Sequence, residues 1–273
     1  MKKLMIAAVA LTGLSAFALT SQNVVGYQGN TANATRNTMM APTFLSVNSE
    51  TGCTLADLTV TGYDAPVWDE EEGEYVDGCS GGDFILRFLN NDGSVAGAYY
   101  WIDDGETTPG WYANAGGKAI TGGASGVEIP AGVAAWVNGK GMTLQSAGAV
   151  NKEDVAYTMN GTRNTATGNC MPVDLTLAQL TVSGYTAPVW DEEEGEYVDG
   201  CSGGDFILRF LNNDGSVAGA YYWIDDGETT PGWYANAGGK AITGGAASVE
   251  IPAGKGMWVN GKGMTLNIPA PEL

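Results

Sequence analysis

The chain has 273 residues, 44% hydrophobic and 16% charged, with 31 acids against 12 bases and a formal charge of −19. That charge repels nucleic acid phosphates and anionic lipid surfaces and attracts divalent cations and basic partners. The absence of histidine removes the commonest general base, the commonest zinc ligand and every Ser-His or Cys-His nucleophile pair.

The opening MKKLMIAAVALTGLSAFA sets Lys2 and Lys3 before an apolar stretch from Leu4, with small residues around Phe17. This is the pattern of a secretory signal peptide, residues 1–18, with cleavage expected after Ala18. The apolar stretch is shorter than the ~20 residues a spanning helix needs, and no later stretch is apolar enough. The expectation is a secreted protein, extracellular or at the cell surface, with no membrane span after cleavage. Loss of the two lysines takes its charge from −19 to −21.

Residues 65–124 recur without substitution as residues 187–246, at a constant offset of 122, and looser similarity extends to both sides. VVGYQGNTANATRNT around Tyr27 matches DVAYTMNGTRNT around Tyr157, and TLADL matches TLAQL. A period of 122 is too long for a solenoid or propeller blade and suits a pair of complete domains. The boundaries expected are 19–150 for the first β-domain repeat and 151–273 for the second, divided near SAGAVNKED.

Within each unit the punctuation is that of β-structure. TLADL allows at most a helical turn. PVWDEEEGEYVD reads as a hairpin in which Trp68 faces Tyr75, Asp69 faces Glu74, and Gly73 supplies a positive φ at the end of the loop. FILRFLNNDGSVAGAYYWI sets two β-prone runs around Asn91-Asp92-Gly93, a strong hairpin signal. Glycines and Pro109 bracket PGWYANAGG, which places it on a loop. VEIPAGVAAWV is a further strand-turn-strand, with Pro130 and Gly132 at the turn. Six to eight short strands per unit, with no long helical periodicity, predict an all-β fold: two tandem antiparallel β-sandwich or barrel-like domains.

Three groups of residues are candidates for chemistry. The acids of the hairpin, Asp69, Glu70 and Glu72 with their counterparts Asp191, Glu192 and Glu194, offer oxygens to a calcium ion. Strand alternation points neighbours to opposite faces, so a solvated hairpin tip explains them better and only weak Ca2+ binding is the alternative. No other cofactor is implied. Two cysteines per unit in an oxidising compartment predict disulfides Cys53–Cys79 and Cys170–Cys201, each adding about 3 to 4 kcal/mol by loop closure. The aromatic residues Tyr99, Tyr100, Trp101, Trp111, Tyr112 and Trp136 recur in the second unit. Such rings either fill the cores or stack on sugars, and Trp111, Tyr112, Trp233 and Tyr234 are the candidate ligand residues.

Five stretches, SQNVVGY, APTF, TLADL, GWY and IPAGKGMWVNGKGMTL, together resemble secreted β-repeat proteins of unknown function from the verrucomicrobial and lentisphaeral lineage. The second unit departs from this pattern, with MPVD at Met171 in place of APTF. The resemblance supplies no catalytic residue, and none is assigned from the sequence. The expected function is therefore non-enzymatic: a secreted structural or adhesive protein, its partners an extracellular polysaccharide or further copies of itself. The alternative is a bivalent carbohydrate-binding module.

Overall fold

Runs of β-branched and aromatic residues too short to bury a face alone gain stability by pairing into sheets. The computed structural model describes residues 25–47, 49–89, 94–115, 118–212, 215–237, 240–242 and 246–272. The proposed signal peptide and the Asn91-Asp92-Gly93 turn lie outside them. Among the described residues each unit forms thirteen short strands, all paired antiparallel. The number exceeds six to eight because runs read as continuous divide between sheets. In VEIPAGVAAWV, Glu128–Pro130 pairs with Gly52–Thr54, whereas Ala135–Asn138 pairs with Ile85–Leu89 and Thr38–Met40. TLADL forms one 3-10 turn, Leu55–Asp57.

In the first unit a six-stranded sheet runs in the order Lys118–Gly123, Gly110–Ala115, Val95–Ile102, Ile85–Leu89, Ala135–Asn138, Thr38–Met40. A three-stranded sheet, Val25–Thr31, Thr143–Ala149 and Leu58–Thr61, covers its inner face. Alternation decides which side chains meet. Leu86, Ala135, Val137, Trp101 and Trp111 point inward to join Leu58, Val60 and Leu144 in one core. Arg87, Trp136 and Asn138, one step out of phase, stay half-buried on the outer face. The second unit repeats this sandwich around Leu208, Trp223, Trp233, Met257, Val259 and Leu266.

The register corrects one alignment. Thr31 faces Thr143 and Thr158 faces Thr265, so the first strands correspond at an offset of 127. Asn30 is therefore the equivalent of Tyr157, and Tyr27 has no aromatic counterpart. By the same register Cys53 and Leu175 are equivalent, facing Ile129 and Ile251.

The two six-stranded sheets meet at their edge strands, Thr38–Met40 and Thr165–Gly168. Met40 bridges Lys255, and Thr167 bridges Val133. Ala41 N donates to Gly254 O at 2.9 Å, and Gly168 N donates to Gly132 O at 3.1 Å. Each contact becomes the other when the units are exchanged, so the seam has an approximate twofold axis, the geometry of an isologous dimer interface. A small apolar cluster of Met39, Ala41, Ala134 and Ala166 fills it, with Trp136 and Trp258 packed against this cluster.

Candidate functional site

The acidic hairpin forms as its local chemistry dictates. Val67–Asp69 pairs with Glu74–Val76, Trp68 facing Tyr75 and Asp69 facing Glu74, and Gly73 turns with φ 69°. The Asp69 carboxylate accepts the backbone N–H of Glu71 at 2.8 Å and of Glu72 at 3.2 Å, which fixes the tip. Asp191 does the same for Glu193 and Glu194. Glu70, Glu72, Glu192 and Glu194 are exposed. Among the described residues no three acid or thiol ligands gather around a common point.

Trp68 and Tyr75 meet edge to face with centroids 5.2 Å apart. Tyr75 lies over Gly105, whose φ of 83° and missing side chain admit the ring; a Cβ there would clash with it. Trp68 is 50% exposed and Tyr75 39%. The second unit holds the same pair, Trp190 and Tyr197, with centroids again 5.2 Å apart. These hairpin rings, read from the sequence as a structural clamp, are among the exposed aromatic residues of each unit.

The rings first assigned to a ligand are elsewhere. PGWYANAGG is not a loop: its Gly110–Ala115 is a strand of the six-stranded sheet. Trp111 therefore points inward and is 2% exposed, Trp233 5%. Their indole N–H groups donate to Leu58 O at 2.8 Å and Leu180 O at 2.9 Å. Edge-to-face contacts to Trp101 and Trp223, both at 5.5 Å, complete a packed aromatic core. Tyr112 and Tyr234 point to the outer face, their hydroxyls tied to Thr108 O and Thr230 O. Tyr234 is itself buried.

The disulfides expected from the sequence are not formed, and all four cysteines are free and buried. Cys79 Sγ lies 3.9 Å from Met142 Sδ and 3.6 Å from Trp101 O, and Cys201 repeats both contacts with Met264 and Trp223. Cys53 and Cys170 are not equivalent, and together they line a void of about 10 Å³ at the seam. Burial pushes the Cys53, Cys79 and Cys201 thiols up to about 12 and Cys170 up to about 11. Thiols so placed stay protonated at neutral pH and are poor nucleophiles.

A half-buried polar chain also went unread in the sequence. Trp101 Nε1 donates to Tyr63 Oη at 3.0 Å, and Tyr63 Oη donates to Asp103 Oδ2 at 2.9 Å. Tyr185 and Asp225 repeat it beneath Trp223. Burial raises the Tyr63 hydroxyl to about 12, so it remains a donor. The chain locks the loop carrying Asp103 onto the core.

The outer face of the six-stranded sheet holds a second feature. Trp136 stands directly across from Arg87, and Trp258 directly across from Arg209. In the second unit these side chains line an open groove of about 350 Å³ with Asn164, Asn260, Leu211 and Val217. The signal was present in FILRFL, where alternation sets Arg87 opposite Leu86 and Phe88. Comparison with known protein families, characterised proteins and solved structures returns no match.

Proposed function

We propose that this is an exported, non-catalytic structural or adhesive protein working at or beyond the cell surface. The observation that carries the reading is the seam, which ties two copies of one sandwich into a single body presenting every identical surface twice. The carboxylates support it, because Asp69, Asp83 and Asp104 are each engaged in holding the backbone N–H groups of their own turns. The leader-like residues 1–18 and the resemblance to secreted β-repeat proteins support export. Among the described residues no helix is long and apolar enough to cross a membrane.

Fractionation of cells making the tagged protein tests this. The expected product starts at Leu19 and lies in the surface or culture fraction; an uncleaved chain held in the cytosol overturns the reading. A second reading, bivalent carbohydrate binding, is favoured by the paired tryptophan and arginine on the outer sheet face.

A further inference from the structure

We infer that the outer-face groove of Trp258, Arg209, Asn164 and Asn260, with its counterpart at Trp136, Arg87, Asn37 and Asn138, binds a polysaccharide whose sugars carry carboxylates. The inference rests on the carbohydrate-binding reading and names its ligand class and its site. Three observations carry it.

The first is the guanidinium. In a chain with 31 acids and 12 bases, neither Arg87 nor Arg209 has an ion pair among the described residues, and no carboxylate among them lines the groove. A guanidinium offers a planar fork of donors that matches a carboxylate in two parallel hydrogen bonds. The second is an unmet acceptor. Asn164 Oδ1 is shut off from solvent without a hydrogen-bond partner, on a residue that lines the groove, so a turn of this amide into the groove would let a sugar hydroxyl meet it. The third is the ring. Trp258 is half-buried directly across the strand pair from Arg209, so a pyranose lying against the indole brings a carboxyl substituent toward the guanidinium. An aromatic wall with a few convergent polar groups is the usual make-up of a small-ligand site.

Charge sets the scale of the effect. The net negative charge opposes a polyanion at long range, but at physiological salt screening confines that opposition to about 8 Å, and the acids of the hairpin tips are not in the groove. The seam adds valence. Trp136 and Trp258 pack on the same four-residue cluster, so two sets of the same residue types stand on either side of one approximate twofold axis. Two sites held on one body raise the avidity for a polymer above the affinity for a short oligomer.

Titration of the full mature chain with polygalacturonate and tetragalacturonate, in chelator, tests the inference. Their methyl esters and cellotetraose serve as neutral probes. Binding is expected with polymer tighter than oligomer and with at least a tenfold loss on esterification. A further loss of at least tenfold is expected for Arg87→Gln with Arg209→Gln, whose unchanged melting temperature would show the fold intact. Asn260→Ala should weaken binding without moving the melt. No binding of the uronates overturns the inference, as does binding unaffected by the arginine substitutions or seen only when calcium is added. Equal binding of neutral and acidic probes overturns the carboxylate assignment and leaves carbohydrate binding standing. Binding of no probe, acidic or neutral, sinks both.

Discussion

The two units differ where they touch and agree where they do not. Away from the seam they are near copies: Trp68–Tyr75 and Trp190–Tyr197 meet at 5.2 Å, and Trp101–Trp111 and Trp223–Trp233 at 5.5 Å. At the seam equivalent positions diverge as complements. Met39 of the first unit faces Gly256 of the second, where a Cβ would fall 2.6 Å from the Met39 Cγ. Across the axis the equivalents of this pair are Ala166 and Ala134, bonded through the backbone at 3.5 Å. Gly132 lies against the apolar Tyr157 and Val155, whereas its counterpart Gly254 lies against the polar Asn30. Large meets small on one side and medium meets medium on the other. Two first units facing each other would set Met39 on Ala134; two second units would set Ala166 on Gly256 and leave a gap. The divergence makes a symmetric interface prefer the pairing within the chain.

The equivalence of the cores breaks first under a large deletion. Trp111→Ala and Trp233→Ala should each cost about 3–5 kcal/mol in chemical denaturation, and by equal amounts, because each removes the same indole from the same neighbours. Costs differing by more than 1 kcal/mol would show that the cores are not interchangeable.

A middle-sized effect sharpens the seam. Gly256→Ala should cost about 1–3 kcal/mol by overpacking against Met39. Combined with Met39→Ala, it should cost measurably less than the sum of the two single changes, since the neighbours share one contact. Strict additivity in this double-mutant cycle would contradict the complementarity.

The smallest effect belongs to the hairpin tips. Changing Glu70, Glu71 and Glu72 together to Gln should shift stability by less than about 0.5 kcal/mol, with or without chelator, and the same change at Glu192, Glu193 and Glu194 should match it. A melting temperature that falls in one unit alone, or that depends on calcium, would give the tips a part in holding the fold or a cation.

What the sequence revealed was local. Trp68, Tyr75, Asp69 and Gly73 determine their hairpin within eight residues, so its register was readable, as was the 3-10 turn of TLADL. The all-β class was readable for the same reason. Features set by distant partners were not. Trp111 was misplaced because Pro109 and the glycines flanking GWYANA mark the ends of a strand as readily as a loop. The cysteines were paired by compartment and spacing, while Cys79 packs against Met142, 63 residues away. The seam was invisible because neither Thr38–Met40 nor Thr165–Gly168 carries a signal of which strand will lie beside it. The outer-face groove fell between these cases: alternation in FILRFL and AAWVN contains it, but only the pairing of those strands brings Arg87 opposite Trp136.

The seam also has a meaning in terms of dilution. The first unit's last long strand ends at Ala149 and the second unit's first begins at Val155, so a short connector holds the two halves of the interface beside each other. Tethering of that kind gives a partner an effective concentration on the order of millimolar, whatever the concentration of the protein itself. A dimer of separate chains would fall apart when released into a large volume. Joined in one chain, the two halves stay docked at any dilution, and the paired surfaces on either side of the axis keep their spacing wherever the molecule travels.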